Sequence, residues 1–275
     1  MTVGADRRGF ALILAIWALA AVALVTTVVA TGVRRESTLT RNALDGAAAR
    51  HLADAAVHLI AAALADPAGA SALRVDGTAM PLTVEGATVE VRILDEGGKV
   101  DLNEAPAELL QGLLVAVGAA PREATAIAAA IVAWREQRMR ESRANPIGSV
   151  RFESLAQLAR IAGMTPGLLQ RLEPYVTIES GLPSVDPWVA PAVVLAAVPG
   201  IDAKAAADLV RDRPPAHHRQ DSGRLPIPNN PLLGPSGGTA FGIEATAEIA
   251  GFRFTRRAVF NPGRNGGEPR LLAWR

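Results

Sequence analysis

Residues 7–35 read RRGFALILAIWALAAVALVTTVVATGVRR. Between the two arginine pairs no residue is charged, and this run is longer than the roughly 20 residues that a helix needs to cross a bilayer core. Basic residues flank both ends, so the positive-inside rule decides the orientation only weakly. The sequence predicts a transmembrane helix over residues 10–33, preceded by a short N-terminal tail in the cytoplasm.

Three interpretations of this segment compete. A secretory signal peptide has an apolar region of about 7–15 residues and a cleavage site of small residues. The ALA at residues 18–20 could serve as such a site, but the apolar run continues well past it. A plain uncleaved anchor requires nothing more than the apolar run. The third interpretation rests on RRGF at residues 7–10, which resembles the leader of a type IV prepilin.

The helical pattern continues through residues 34–66. Arg41 and Asp45 are four residues apart and favour a helix, and Pro67 ends the run. One helix through both halves would be about 80 Å long. A pilin requires this continuity, because one half packs in a filament and the other carries a globular head. Apolar residues recur every three or four positions and predict an amphipathic face: Leu44, Ala48, Leu52, Ala55, Leu59 and Ala63.

Two separated parts of the chain, residues 67–100 and 239–275, alternate apolar and polar side chains with the period of a β-strand. In the first part, Glu85-Gly86 joins two short alternating runs and predicts a hairpin. In the second part, Gly251 turns the chain between two longer runs. Together they predict one antiparallel sheet with a buried face, a β head. The predicted strands are residues 82–84, 89–93, 241–249, 252–260 and 271–274.

Residues 101–213 predict an inserted α-domain that contains an imperfect repeat. One copy reads DLNEAPAELL from Asp101, and the other reads DPWVAPAVVL from Asp186. In each copy an Asp precedes an Ala-Pro-Ala step, as expected where a helix begins. The second copy continues into VPGI at residues 198–201, which resembles a helix-hairpin-helix turn. Residues 214–238 are rich in Pro and Gly and predict an irregular loop.

The order of these motifs resembles the K-type minor pseudopilin of the type II secretion system, also called general secretion pathway protein K. The resemblance implies an α+β, type IV pilin-like fold. In that fold a long N-terminal transmembrane and amphipathic helix precedes an antiparallel sheet, and an inserted all-α domain interrupts the sheet. The matching stretches are RRGFALIL at residues 7–14, DEGGKVDLNEAPAELL at 95–110, FESLAQLARIAGMTPGLL at 152–169 and the closing LLAWR.

The same resemblance implies how the protein is processed. A prepilin peptidase would remove residues 1–9 by cutting between Gly9 and Phe10, and Phe10 would be N-methylated. The fifth residue of the mature chain is then Leu14, where major pilins carry a Glu. The resemblance further implies a single-pass protein of the bacterial inner membrane with its head in the periplasm.

The implied function is that of a minor pseudopilin which caps the pseudopilus tip and initiates its assembly, for export of folded proteins across the outer membrane. The implied partners are the I- and J-type minor pseudopilins, the major pseudopilin, the prepilin peptidase and the inner-membrane secretion platform.

A membrane-anchored helix-hairpin-helix protein for DNA uptake is the alternative function. Such hairpins bind phosphates through backbone N–H groups and need a net positive face. The whole chain has 28 Lys and Arg against 27 Asp and Glu, which provides no strong positive field. We therefore do not expect nucleic acid as a partner. Close to the VPGI turn, three acidic residues match three basic ones: Asp202, Asp208 and Asp212 against Lys204, Arg211 and Arg213.

Neither a catalytic site nor a metal site is predicted. The absence of Cys excludes disulfides, thiolate ligands and Cys nucleophiles. His51, Asp54 and His58 have helical spacing and could share one face as a metal site, but a polar stripe on a solvated helix explains them better. The pair His217-His218 has no neighbouring residues in sequence that complete a triad.

Calcium is the one cofactor that the resemblance raises. Some relatives are thought to bind it in their helical region. Here the stretch from Gln137 to Val150 has no dense acidic cluster. The sequence therefore predicts no cofactor and leaves calcium open.

Replacing Gly9 by Trp should leave the precursor unprocessed, because the small residue lets the peptidase approach the peptide bond closely. The measurement is the intact mass of the protein extracted from its native membrane. The wild-type chain should begin at a methylated Phe10, and normal processing of the Trp variant would show that this prediction is wrong.

Overall fold

A computed structural model describes the chain in four stretches: residues 6–144, 151–213, 229–263 and 268–274. The helices are α1 (Asp6–Ala65), α2 (Pro67–Ser71), α3 (Ala107–Ala116), α4 (Pro121–Ala144), α5 (Pro166–Leu172), α6 (Ala192–Leu195) and α7 (Ala203–Asp212). The strands are β1 (Met80–Val84), β2 (Ala87–Asp95), β3 (Val100–Asp101), β4 (Val176–Thr177), β5 (Phe241–Ile249), β6 (Phe252–Asn261) and β7 (Arg270–Trp274).

Packing divides the chain into two units. The first unit consists of residues 1–51 and 248–254. Within it the Arg50 guanidinium lies 5.5 Å from the ring centre of Phe254. The second unit consists of residues 52–247 and 255–275, and it contains every helix from α2 to α7.

The main sheet has five strands in the order β1-β2-β5-β6-β7. Its central pair joins strands that are far apart in sequence, since Val91 lies opposite Ala245 and Asp95 lies opposite Phe241 in antiparallel register. Alternate residues of β2 and β5 are buried, as the period-two pattern predicts. All of the helices from α3 to α7 lie in the chain between these two paired strands.

The C-terminal half of α1 packs its apolar side against the head. Small and branched residues are buried there. The small Ala side chains let the helix approach the sheet closely. On the outer part of this contact, Nε of Arg256 in β6 lies 2.5 Å from Oδ1 of Asp54. The buried residues of α1 in this unit are Leu52, Ala53, Ala56, Val57, Ile60, Ala61 and Leu64.

The helices α3 to α7 surround a separate apolar core. Leu109, Leu113, Ile127 and Ile131 are all fully buried in it, and α3 packs closely against α4. Gly112 permits close approach of the second helical pair, because a Cβ there would lie 2.0 Å from the carbonyl oxygen of Ala197. These helices thus form a packed module rather than a set of loosely attached surface helices.

The structure confirms a mixed fold of helices and an antiparallel sheet. The part between β2 and β5 is mainly helical and not all-helical as expected, because β3 and β4 form a short parallel pair that joins Val100 to Val176. Two-residue strands carry no periodicity that a sequence could reveal. Residues 214–228 of the expected Pro/Gly-rich loop lie outside the described residues, as do residues 1–5 of the expected leader.

Ala56 tests the close contact between α1 and the head. Its side chain is fully buried, so Ala56→Leu should overpack the contact and cost about 1–3 kcal/mol. Ala62→Leu is the matched control, because Ala62 is exposed on the same helix. The melting temperature of the full-length chain in detergent should fall for the first variant and hold for the second. Equal melting temperatures would contradict the packing.

Candidate functional site

The N-terminal half of α1 presents apolar side chains that the rest of the protein does not cover. Trp17 is 72% exposed, and the hydroxyls of Thr26 and Thr27 donate to backbone carbonyls of the preceding turn. A water-soluble surface rarely tolerates such a patch, and its polar groups are already satisfied within the helix. The more than half-exposed apolar residues are Leu12, Leu14, Ile16, Trp17, Leu19, Val22, Leu24 and Val25.

Among the residues that the structure describes with their side chains, 39–65 are long and apolar enough to cross a membrane by length and composition, and 14–27 form a shorter apolar segment. However, 39% of the apolar window within 39–65 is buried inside the protein, and the helix carries Arg50 and Asp54 there. The exposed residues 14–27 fit lipid better, and they lie inside the span expected at 10–33. Gly9 and Phe10 belong to α1, but their side chains lie outside the described residues.

The C-terminal half of α1 has a second apolar side that stays exposed. Leu44 and Leu59 are 65% and 51% exposed, whereas Leu52 is buried. The expected single stripe from Leu44 to Ala63 is therefore divided between an inner side and an outer side. Leu44 belongs to the first unit and Leu59 to the second, and each is exposed within its own unit.

The polar residues of the same helix do not assemble a metal site. Asp54 is occupied by Arg256, and the His58 ring stacks on Trp274 at a centroid distance of 5.3 Å. Among the described residues, no group of three His, Cys, Asp or Glu side chains converges to hold a metal ion. His217-His218 lies outside the described residues.

A buried hydrogen-bond network joins the two ends of the helical module to the sheet; we call it the insert junction, formed by Asp95, Gly97, Asp186 and Ser236. The Ser236 hydroxyl donates to Oδ2 of Asp95 at 2.7 Å, and its backbone N–H donates to Oδ2 of Asp186 at 2.7 Å. Asp95 also accepts from the N–H of Gly97, and Asp186 N–H donates to the Gly97 carbonyl. Both carboxylates are 4% exposed, so each depends on these donors.

The junction leaves no room for side chains at its glycines. A Cβ on Gly97 would lie 2.2 Å from Cβ of Ser236, and one on Gly98 would lie 2.9 Å from the backbone of Val189. Next to them Glu96, 3% exposed, pairs with Lys99 at 2.7 Å. The Asp-Glu-Gly-Gly-Lys stretch at residues 95–99 therefore marks the point where β2 turns into the helical module.

The sequence repeat corresponds to a structural repeat. Asp101 accepts from the N–H of Asn103, and its carbonyl accepts from the N–H of Ala105. Asp186 makes the same two contacts with Trp188 and Ala190. Each turn is an Asp-centred turn that leads through Pro into a helix, α3 in the first copy and α6 in the second.

A half-buried arginine donates to the backbone of each of these turns. Arg135 of α4 donates to the carbonyls of Asn103 and Ala105, both at 2.9 Å. Arg213, directly after α7, donates to the carbonyls of Pro187 and Ala190 at 3.1 and 2.7 Å. Burial lowers the pKa of both arginines; the charge of Asp101 opposes that shift at Arg135, and the charges of Asp76 and Asp186 oppose it at Arg213. Sequence analysis gave neither arginine this role, because the carbonyls that they contact lie 23 to 32 positions away along the chain.

The helix-hairpin-helix likeness extends to three turns of the module. Gly118, Gly163 and Gly200 each adopt a positive φ between two helical segments, although only the third was identified from sequence. The cations near the third turn are already engaged, since Asp208 pairs with Lys204 and with Arg211, both at 2.8 Å. This arrangement provides helix packing and does not offer a positive face for phosphates.

A cleft of about 540 Å³ lies between the outer face of the sheet and the helical module. Its charged lining is internally paired: Arg257 contacts Glu244 at 2.6 Å, and Lys99 contacts Glu96. Pro174, Ile178 and other apolar side chains complete its walls. The cleft thus offers shape and paired charges, without an activated nucleophile among its described lining residues.

Comparison with known proteins shows which family and which solved fold this chain resembles. Residues 89–181 match the family model described as Type II secretion system (T2SS), protein K. The fold is also similar to a chain in the crystal structure of the GspK-GspI-GspJ complex from the enterotoxigenic Escherichia coli type 2 secretion system. That match has a TM-score of 0.57 at 15% identity and covers 86% of this chain and 98% of the other. A search of curated proteins finds no match. The resemblance to protein K of the type II secretion system that was expected from the sequence is confirmed over residues 89–181.

The family match covers β2, the first half of the insert junction and the first Asp-centred turn. It ends before Asp186 and Ser236. The two halves of the junction are joined through Ser236, a residue that sequence analysis left within the irregular loop.

Gly97 tests the insert junction. Gly97→Ala should separate Gly97 from Ser236 and release the two buried carboxylates, lowering stability by about 2 kcal/mol or more. Gly167→Ala in α5 is the control, since its nearest contact would be the flexible end of Arg171 at 3.7 Å. Unfolding of the full-length chain followed by melting temperature should distinguish them. A Gly97→Ala variant as stable as the control would contradict the role of the junction.

Proposed function

We propose that this protein K caps the tip of the pseudopilus and initiates its assembly, in a structural and not a catalytic role. Its family supports a minor pseudopilin role. The observation that carries the finer proposal is the combination of an exposed apolar N-terminal helix with Leu14 at the position where major pilins carry a Glu. After cleavage at Gly9, Leu14 would be the fifth residue of the mature chain.

Leu14 restricts where the subunit fits in a filament. In a shaft, the fifth residue of one subunit pairs with the charged N-terminus of its neighbour. A leucine there leaves a buried amine unpaired, and a buried unpaired charge costs several kcal/mol. At the tip no further subunit is added above, so no neighbouring amine requires an acidic residue.

The helical module gives a second, steric argument. It forms a packed body of its own between β2 and β5, fixed to the sheet by the insert junction. A rigid body of this size on the head would obstruct the stacking of further subunits at the regular spacing. A terminal position tolerates it.

The open outer side of α1 supports the proposal that other subunits bind beside this helix. The inner side is covered by the head, while the outer side with Leu44 and Leu59 is open. The similar E. coli chain comes from a complex of GspK, GspI and GspJ. By this similarity the I- and J-type minor pseudopilins cover the outer side, and the major pseudopilin follows beneath them. The protein would be anchored in the inner membrane by its N-terminal half, with the head in the periplasm.

Site-directed crosslinking from Leu44 and Leu59 tests this arrangement. Crosslinks should capture the I- and J-type subunits in preference to the major one, because only a tip position surrounds α1 with minor subunits. Glu85, at the exposed turn between β1 and β2, serves as the control position and should give no such products.

Labelling of this chain on purified filaments is the second measurement. One label at a filament end agrees with a cap. Labels at many positions along the shaft would rule it out.

A further inference from the structure

The C-terminal strand ends in an apolar surface that the head leaves open. Leu271, Leu272 and Trp274 of β7 are 44%, 37% and 37% exposed. Together with Leu59 of α1 we call them the C-terminal patch. The other edge strand, β1, has none of the large exposed apolar residues and carries Pro81, which removes a backbone donor. Of the two sheet edges, β1 therefore resembles a protected edge and β7 does not.

A bulge directs side chains outward at this edge. Phe260 lies opposite Leu271, and Val259 lies opposite Ala273, so Leu272 is an extra residue in β7. A bulge interrupts the hydrogen-bond ladder and re-aims a side chain. The patch therefore suits an occupant that contacts side chains, and not one that extends the sheet by a further strand.

Trp274 is held rigidly where the patch meets α1. Its ring stacks on His58, and the Arg256 guanidinium lies 4.9 Å from its centre. Arg256 is in turn fixed by Asp54. Leu59 follows His58 in α1, and both residues belong to the same packed unit as β7. A rigid aromatic residue at the centre of an apolar surface is a common anchor of protein interfaces.

The charge of the surrounding segment defines the chemistry of the occupant. From Phe252 to Arg275 the sequence has six Arg and one Glu. Arg256 and Arg257 are paired with Asp54 and Glu244. Arg270, next to Leu271, is exposed and forms no ion pair with the described residues. A second copy of this chain would bring like charges together, whereas an acidic surface complements the patch.

We propose that the C-terminal patch docks the head of a neighbouring minor pseudopilin, through an apolar surface of that head bordered by carboxylates. This inference rests on the proposed function, because the neighbour that covers the outer side of α1 is the protein placed next to the patch. Arginine, leucine and tryptophan also suit a lipid interface. A protein occupant fits better, because His58 and Arg256 hold the Trp274 ring in place and His58 lies far along the chain from the expected span.

The test measures binding of the full-length chain in detergent to purified I-type and J-type subunits. Leu271→Ser with Leu272→Ser should weaken binding to one of them by about tenfold or more. Arg270→Glu should weaken it several-fold and reduce its dependence on salt. The matched control is Val115→Ser with Met139→Ser, which changes side chains 42% and 50% exposed on α3 and α4 and should leave affinity unchanged. Equal melting temperatures verify that the variants fold; Arg270→Glu changes only a surface charge and keeps the test valid if the serine variant does not fold.

The outcomes separate this inference from the proposed function. If the patch variants bind like wild type while Leu44→Ser loses affinity, the inference is overturned and the proposed function stands. If the wild-type chain binds neither minor subunit, the proposed function fails and the inference with it. Vesicles rich in phosphatidylglycerol provide the last arm. A patch variant that loses only vesicle binding would show a lipid surface in place of a protein partner.

Discussion

Ser236 satisfies two buried carboxylates at once, and the architecture of the head depends on that contact. Pairing of β2 with β5 requires the helical module to leave the sheet and return to it at nearly the same place. Asp95 stands at the exit, and Asp186 and Ser236 stand near the return. A buried carboxylate that loses a donor is costly, and each acid has both a local donor, Gly97 or Trp188, and a donor on Ser236 that is present only while both ends of the module meet. The contact also requires glycine at positions 97 and 98, because a Cβ at either position would push the two ends of the module apart.

The helical module contains a second interaction that occurs twice, in which an arginine donates to backbone carbonyls and not to side chains. Arg135 and Arg213 each donate to two carbonyls of an Asp-centred turn. A turn leaves carbonyls without partners, and a half-buried guanidinium can satisfy two of them at once. Burial lowers the pKa of each arginine, but the shift leaves a strongly basic group charged at neutral pH. The two halves of the module thus share a turn and the arginine that fixes it, although few of their other residues match.

The sequence predicts those features that repeat along the chain. The alternation of β2 and β5 marks their buried face, and the long pattern of α1 marks a helix through both halves. Three things remain beyond its reach. Ser236 lies 141 positions from its partner Asp95, and no local pattern links them. The stripe from Leu44 to Ala63 looks like one face, because spacing alone does not show which apolar side chains the head covers. Gly118 and Gly163 resemble ordinary loop glycines until their positive φ angles are known.

The difference between inner and outer leucines on α1 connects these observations to function. A helix that only carried its own head would need one apolar side. This helix buries Leu52 against the head and still exposes Leu44 and Leu59. Nearer its N-terminus it exposes nearly every apolar residue from Leu12 to Val25.

Lipid can cover the N-terminal residues, since lipid contacts all sides of a membrane helix equally. The C-terminal half, in contrast, is charged and carries the head. Under the proposed function, a neighbouring subunit would cover its open side.

The hairpin turns of the module depend on glycine and on paired charges. Their glycines shape tight turns between packed helices, and Asp208 pairs with both of the nearby cations, Lys204 and Arg211. A turn of this shape binds phosphate in other proteins, and here it brings two helices together; the fold supplies the turn, and the surrounding charges decide its use.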